Sequence, residues 1–195
     1  INDDFARRSA NADFDGDGRT DIAVFRPDSG TWFYLQSSDG AFRAVQFGAA
    51  GDRIAPGDFD GDGRTDIAVF RPSNGVWYIL RSSDGQFYAV QFGVGEDKPV
   101  AADYDGDGRT DIAVYRPSVG VWYILRSSDG SFTGVAFGIG EDKPVSADFD
   151  GDGRTDISVY RPSVGIWYIL RSSDGQFYAA QFGIGEDKPV AADYD

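Results

Sequence analysis

The sequence predicts an all-β protein: a β-propeller of four-stranded antiparallel blades with a repeat of 45 residues. Three observations support this fold class. A nine-residue, aspartate-rich string recurs at intervals of 45 residues. Each repeat contains short runs of strand-forming residues separated by turn residues. The central run of each repeat is apolar on both of its faces. Repeats of this length are typical of propeller blades, whose sheets are covered on both sides by neighbouring sheets.

The repeats are closely similar, since 58–102 and 148–192 differ at only six of 45 positions. We expect a single array, 1–195, of four blades with approximate edges. The expected blades are 8–57 (degenerate and capping), 58–102, 103–147 and 148–187, followed by 188–195 as the surplus first strand of a further or swapped blade. Four blades can close one small ring, two chains can form a ring of eight blades, or the sequence is a fragment of a longer array. We favour a ring completed by another copy, because open blade faces would expose apolar surface.

The third repeat illustrates the expected elements in chain order. The predicted strands are 111–116, 121–126, 131–137 and 143–147. The turn Pro117–Gly120 separates the first two of these, and Ser127–Gly130 separates the next two, because Pro presets φ and Gly permits positive φ. Residues 138–142 then lead to the strand that precedes the next aspartate-rich string. The string therefore joins the first and second strands of each blade.

The predicted strand 121–126 decides between two all-β architectures. Trp122 and Ile124 lie on one face, and Tyr123 and Leu125 lie on the other. A sheet that is apolar on both faces has to be covered on both, as in a radial stack of blades. An immunoglobulin-like sandwich would instead leave one face of each strand polar. The pattern favours the propeller.

The aspartate-rich string has the donor spacing of a calcium-binding loop. Carboxylates occupy positions 1, 3, 5 and 9, glycines occupy 4 and 6, and the carbonyl of position 7 completes an oxygen set. The predicted metal ligands are Asp13, Asp15, Asp17, Arg19 (backbone), Asp21, Asp58, Asp60, Asp62, Arg64 (backbone), Asp66, Asp103, Asp105, Asp107, Arg109 (backbone), Asp111, Asp148, Asp150, Asp152, Arg154 (backbone) and Asp156. Position 12 is valine in every copy and no helix follows, so the loop belongs to a β-hairpin and not to an EF-hand.

The chemistry of the donors favours Ca²⁺, about one ion per complete blade. Magnesium demands tighter octahedral geometry, and zinc or copper would need the His or Cys that this chain lacks. Four divalent ions would change the formal net charge from −14 to −6. The acidity argues against nucleic acid as a partner, and no apolar run is long enough for membrane insertion. We expect the ions to be structural.

The string and its surroundings resemble a known family. The run Asp-Phe-Asp-Gly-Asp-Gly-Arg-Thr-Asp-Ile-Ala-Val-Phe-Arg-Pro-Ser-x-Gly-x-Trp-Tyr, preceded by Gly-Glu-Asp-Lys-Pro-Val, is similar to the FG-GAP/VCBS repeats of bacterial secreted proteins. These repeats are related to the calcium-loaded blades of integrin α-subunits and to lectin propellers of fungal or tachylectin type. The resemblance implies a propeller with calcium in the loop between the first two strands, an extracellular or secreted location, and frequent roles in adhesion or glycan binding.

Three functions follow as hypotheses. The first is a non-catalytic binding or scaffold module, with self-association to complete a ring and a glycan or protein as further ligand. The second is a lectin-like propeller, in which sugars would stack on the tryptophans and bond to the arginines of the Arg-Pro pairs. The third is a repeat-amplified or engineered propeller without an evolved ligand. The candidate sugar-binding residues are Trp32, Trp77, Trp122 and Trp167 with Arg71, Arg116 and Arg161. We favour core packing for the tryptophans and pairing with a loop aspartate for the arginines.

The sequence argues against an enzyme. Without His or Cys, nucleophilic catalysis of the Ser/His or Cys/His kind is excluded. Adjacent acids could in principle cleave glycosides, but here they recur in every linker between blades. The recurring acid pairs are Glu96/Asp97, Glu141/Asp142 and Glu186/Asp187. Such recurrence indicates a structural role, because a catalytic site is usually unique.

Overall fold

A computed structural model describes residues 12–191. The chain forms two compact units, divided between Phe92 and Gly93. All regular elements of the described residues are β-strands, and among those residues no helix is long and apolar enough to cross a membrane. The four antiparallel sheets are the blades of an all-β propeller fold, which confirms the predicted fold class. The N-terminal part of the expected capping segment (8–11) and the end of the surplus strand (192–195) lie outside the described residues.

The first unit contains blades 1 and 2. In the described residues blade 1 has three strands in the order β1-β2-β3, and blade 2 has four in the order β4-β5-β6-β7. The strands are β1 Ile22–Arg26, β2 Thr31–Leu35, β3 Phe42–Gln46, β4 Arg53–Ile54, β5 Ile67–Arg71, β6 Val76–Leu80 and β7 Phe87–Gln91. The middle strand of blade 2 alternates strongly buried with half-buried residues, as expected for a sheet covered on both faces, whereas the middle strand of blade 1 ends in the exposed Leu35.

The second unit contains blades 3 and 4, with strand orders β8-β9-β10-β11 and β12-β13-β14-β15. The strands are β8 Lys98–Pro99, β9 Ile112–Arg116, β10 Val121–Leu125, β11 Phe132–Ala136, β12 Lys143–Ala147, β13 Asp156–Arg161, β14 Ile166–Leu170 and β15 Phe177–Gln181. The four strands predicted in the third repeat agree with β9 to β12 to within one residue at each end. No strand is assigned to 188–191, so the surplus strand stays a prediction.

The sheets are offset from the sequence repeats. Each complete sheet takes its edge strand from the end of the preceding repeat, as when Lys143–Ala147 pairs with β13 in a register that joins Lys143 to Tyr160 and Ala147 to Asp156. The chain then passes through the aspartate-rich loop between these two strands. The loop therefore lies at the turn of an antiparallel hairpin, as the sequence predicts.

One turn explains a glycine that recurs in every repeat. Gly120 closes the turn between β9 and β10 with φ of 64° and donates its N–H to the carbonyl of Arg116 at 2.9 Å. A Cβ at this position would lie 2.1 Å from the carbonyl oxygen of Gly138. Only glycine allows both this backbone conformation and this close approach.

Candidate metal centre

The aspartate at position 1 organises each loop. In blade 2, Asp58 Oδ1 accepts a hydrogen bond from the N–H of Gly61 at 2.7 Å, and Oδ2 accepts one from the N–H of Gly63 at 2.8 Å. Both glycines have positive φ, which turns their N–H groups towards the carboxylate. The same pair of bonds recurs in the other three loops. The local sequence therefore folds the loop around its first aspartate.

The aspartate at position 9 ties the loop to the rest of its blade. Asp66 is fully buried; its Oδ2 accepts from the N–H of Phe59 at 2.8 Å and its Oδ1 from the N–H of Ser82 at 2.7 Å. Ser82 belongs to the turn between β6 and β7. This carboxylate thus joins two turns of the same blade, and its equivalents in the other blades do the same.

Two serines of the Ser-Ser-Asp-Gly turn also contact the loop. Ser83 Oγ donates to Asp60 Oδ2 at 2.6 Å, and Ser82 Oγ donates to Asp62 Oδ1 at 2.9 Å. The sequence pattern alone did not identify these serines. The signal that could have found them is the recurrence of this turn at a fixed distance from every aspartate string. The equivalent serines are Ser37 and Ser38, Ser127 and Ser128, and Ser172 and Ser173.

Each loop brings three carboxylate oxygens within 4.8 Å of one another. In blades 1 and 2 they come from positions 1, 3 and 5; in blades 3 and 4 they come from positions 1, 3 and 9. The clusters are Asp13/Asp15/Asp17, Asp58/Asp60/Asp62, Asp103/Asp105/Asp111 and Asp148/Asp150/Asp156. The remaining predicted carboxylates are Asp21, Asp66, Asp107 and Asp152, which lie in the same loops outside these groups of three. A group of neighbouring carboxylates offers only oxygen ligands, and hard cations such as Ca²⁺ prefer such ligands.

The fourth loop contains an unpartnered ligand atom. Asp150 Oδ1 is buried and accepts no hydrogen bond, although Asp150 Oδ2 accepts one from Ser173 Oγ at 2.6 Å. A buried carboxylate oxygen without a partner is costly unless a proton or a cation compensates it. Asp150 belongs to the cluster that includes Asp148 and Asp156. This observation independently supports the fit of a cation to the loop.

Burial opposes the ionised form of several of these aspartates. Desolvation raises the pKa of Asp66 to about 6 from a usual 3.8. Burial also raises the pKa values of Asp58, Asp103 and Asp111, and neighbouring carboxylates add to the effect. Hydrogen bonds from loop N–H groups act in the opposite direction. A bound cation would offset both the desolvation and the mutual repulsion of these carboxylates.

The linker acids are engaged in structural contacts. Arg116 binds Asp97 through two bonds, Nε to Oδ1 at 2.7 Å and Nη2 to Oδ2 at 2.9 Å, and its guanidinium lies 4.6 Å from the ring centroid of Tyr123. Glu96 accepts a bond from Ser118 Oγ at 2.6 Å. Arg71 pairs with Asp52 and Arg161 with Asp142 in the same way. The predicted pairing of these three Arg-Pro arginines with a loop aspartate is confirmed, and it gives Asp97 and Asp142 a structural role.

The tryptophans belong to the core of their blades. Trp77 and Trp122 are fully buried, Trp32 is almost so, and Trp167 is half-buried. Each indole N–H donates to a backbone carbonyl, as from Trp122 to Phe137 at 2.9 Å. Core packing, favoured from the sequence, is therefore confirmed for these side chains. Their position leaves no ring face for a stacked sugar on Trp77 or Trp122.

Comparison with known proteins identifies the repeats. The model of the FG-GAP-like repeat matches residues 13–69, 58–114 and 103–159, which together span more than half of the chain. No curated protein sequence matches the chain.

Solved structures share the fold at low sequence identity. A lectin of Agrocybe aegerita that recognises non-reducing terminal N-acetylglucosamine is 18% identical, with a TM-score of 0.56 over 92% of this chain and 50% of the lectin. Virginiamycin B lyase of Staphylococcus aureus is 10% identical, with a TM-score of 0.54 over 84% of this chain and 52% of the lyase. BBS1N, solved in complex with ARL6DN, is 15% identical, with a TM-score of 0.52 over 93% and 58% of the two chains. The chain thus spans little more than half the length of these proteins. Its own repeats decide its classification: the chain belongs to the FG-GAP-like repeat family.

Proposed function

We propose that this chain is a calcium-binding propeller module that acts as a non-catalytic scaffold, with about one ion in each aspartate-rich loop. The observation that carries the proposal is the convergence of three carboxylates within 4.8 Å in all four loops. The aspartates at positions 1 and 3 belong to the group in every loop, and the third carboxylate comes from position 5 in blades 1 and 2 and from position 9 in blades 3 and 4. The recurrence of such a group in all four loops supports a built site. The backbone carbonyls of Arg19, Arg64, Arg109 and Arg154 remain proposed further ligands.

Calcium would have a structural role in this proposal. The carboxylates that would hold the ion also accept bonds from the Ser-Ser turn of the same blade, as Asp60 does from Ser83. An ion on these carboxylates would therefore link the loop hairpin to the opposite turn. The chain has no cysteine for disulfides, so bound ions are its available cross-links.

A binding role for the module is part of the proposal, with an extracellular setting and a protein or glycan as ligand. The FG-GAP-like repeats and the fold shared with a lectin support a binding module. The pairing of the linker acids supports a non-catalytic one. The buried tryptophans argue against the specific lectin hypothesis in which those rings stack on sugars.

Calorimetric titration with calcium after chelator treatment tests the proposal. We expect about four ions per chain for the natural sequence and about three for Asp60→Asn, which removes a carboxylate charge from one cluster at nearly constant volume. Asp129→Asn is the matched control. It removes the same charge from an exposed turn, where Asp129 Oδ1 accepts a bond from the N–H of Ser131 at 2.8 Å and the carboxylate lies near Arg126. No calcium binding at millimolar concentrations, or equal stoichiometry in both variants, would contradict the proposal.

A further inference from the structure

Two different faces of the blades meet within the first unit. Ile67 and Val69 of blade 2 form one apolar cluster with Phe14 and Trp32 of blade 1. We call the side that carries the Ile and Val of a blade its Ile–Val face, and the side that carries its Trp and the aromatic residue of its aspartate loop its Trp face. In this unit the Ile–Val face of blade 2 covers the Trp face of blade 1.

The same arrangement recurs in the second unit. Ile157 and Val159 of blade 4 pack in one cluster with Trp122 and Ile124 of blade 3, and Tyr104 lies against it. The residues in contact occupy the same repeat positions as in the first unit. In each unit, therefore, the two blades pack through an Ile–Val face against a Trp face.

Among the described residues, none covers the Ile–Val face of blade 1, and its side chains are exposed. Ile22 is 74% exposed, whereas its equivalent Ile67 is 6% exposed. Val24 is 60% exposed, whereas its equivalent Val69 is fully buried. The residue types are identical at both positions, so blade 1 presents the surface that elsewhere in the chain is buried against a Trp face.

The Trp face of blade 4 is likewise exposed within residues 12–191. Phe149 is 39% exposed, whereas its equivalent Phe14, which packs with Ile67 and Val69, is 8% exposed, and Phe182 is 79% exposed. Trp167 is half-buried, whereas its equivalent Trp122 is fully buried. Blade 4 thus presents the surface that elsewhere accepts an Ile–Val face.

We propose that a second copy of this chain docks the Ile–Val face of its blade 1 onto the Trp face of blade 4. The occupant is a second copy because each exposed face already has its complementary partner among the residues of this same chain. The contact is head-to-tail, since the two surfaces are different, and its smallest closed assembly is a ring of two chains. The apolar area covered on each side supplies the driving force.

The contact would also complete an aspartate loop. Asp13 in blade 1 donates its N–H to Thr65 Oγ1 of blade 2 at 2.9 Å, and its carbonyl accepts from the N–H of Thr65 at 2.7 Å. The carbonyl of Asp103 accepts from the N–H of Thr155 in the same way, at 2.7 Å. Asp148 and Thr20, the equivalent residues on the two uncovered faces, are both exposed. In the proposed assembly Thr20 of one copy lies against Asp148 of the other. The docking itself does not rest on the proposed calcium function.

Light scattering coupled to size-exclusion chromatography tests the docking. Two variants each place a charged side chain on one of the two apolar faces. We expect the natural chain to elute at twice its mass of 21.1 kDa or more. Val24→Arg and Phe182→Arg should each elute as monomers, because each lacks one half of the contact. Their equimolar mixture should form a one-to-one dimer, because one natural contact can still form between them. Val119→Arg, at a turn residue of similar exposure, is the control that should associate like the natural chain.

The outcomes separate this inference from the calcium proposal. The runs are made in calcium and in chelator, and circular dichroism checks that each variant keeps its β-sheet signal. A natural chain that binds calcium but stays monomeric would overturn the docking and leave the calcium proposal intact. Association that survives in both Arg variants, or a mixture that stays monomeric, would overturn it too.

Discussion

At the scale of single residues, each repeat contains buried ion pairs and turn glycines whose replacement should lower the free energy of unfolding. Asp97 and Asp142 are fully buried carboxylates, each held by two bonds from an arginine of the adjacent strand. Removing one partner of such a pair leaves a buried charge unpaired. From the sequence we expected these arginines to pair with a loop aspartate, and the structure identifies the linker aspartate as that partner. The sequence did not reveal the ring of Tyr123 beneath Arg116, which depends on the register of β9 and β10.

The turn glycines allow a matched test at this scale. Gly120→Ala should destabilise the protein by at least about 2 kcal/mol, because positive φ costs about 1–2 kcal/mol and the new Cβ collides with the carbonyl of Gly138. Gly130→Ala is the control: its φ is also positive, at 70°, but a Cβ there would meet no atom within 4 Å beyond its chain neighbours. We expect it to cost about 1 kcal/mol. Urea unfolding of both variants gives the difference, and equal costs would refute the close approach.

At the scale of the element, the aspartate loop and the Ser-Ser turn form one polar network at the end of each blade. The spacing of carboxylates and glycines predicted the loop and its place in a hairpin. The serines were missed because they lie 16 to 23 residues from their aspartates and act only when the blade has folded. Which three carboxylates meet also differs between blades, although the strings are nearly identical. That choice depends on side-chain orientation, which residue spacing does not determine.

The loops predict a pH dependence whose sign is set by Asp66. Its pKa in the folded protein, about 6, lies above the usual 3.8, so protonation favours the metal-free folded state as pH falls through 6. The contribution of this protonation to the free energy of unfolding is lost above pH 6, where the Asp66 carboxylate is ionised. Calcium binds only the ionised form, so protons compete with it below pH 6. We expect the calcium-induced increase in Tm to be larger at pH 7.5 than at pH 5.0. Calorimetric scans with and without calcium at both pH values measure it, and an equal increase at both would contradict this assignment.

At the scale of the whole molecule, the repeat period and the two-sided apolar strand predicted the fold class, and the sheets confirm it. The offset between repeats and sheets is less visible in the sequence, because the edge strands β4 and β8 are only two residues long. Residue types alone do not predict which faces of blades 1 and 4 are exposed. Ile22 and Ile67 are the same residue at equivalent positions, but Ile22 is exposed and Ile67 is buried. The exposure of a side chain depends on the neighbouring blade that packs against it. Repeats with nearly identical sequences therefore give no local signal of it.

Calcium in the aspartate loops is proposed to hold this fold together, and a comparison of Tm in calcium and in chelator measures that stabilisation. At ~1 mM calcium and a Kd of ~0.1 mM, each site contributes about 1.4 kcal/mol, and four sites contribute about 5.7 kcal/mol. For a chain of this size that corresponds to an increase in Tm of roughly 10–20 °C over the chelated protein. Magnesium at the same concentration should produce a much smaller increase. A Tm that is the same in calcium and in chelator would show that calcium does not stabilise this fold.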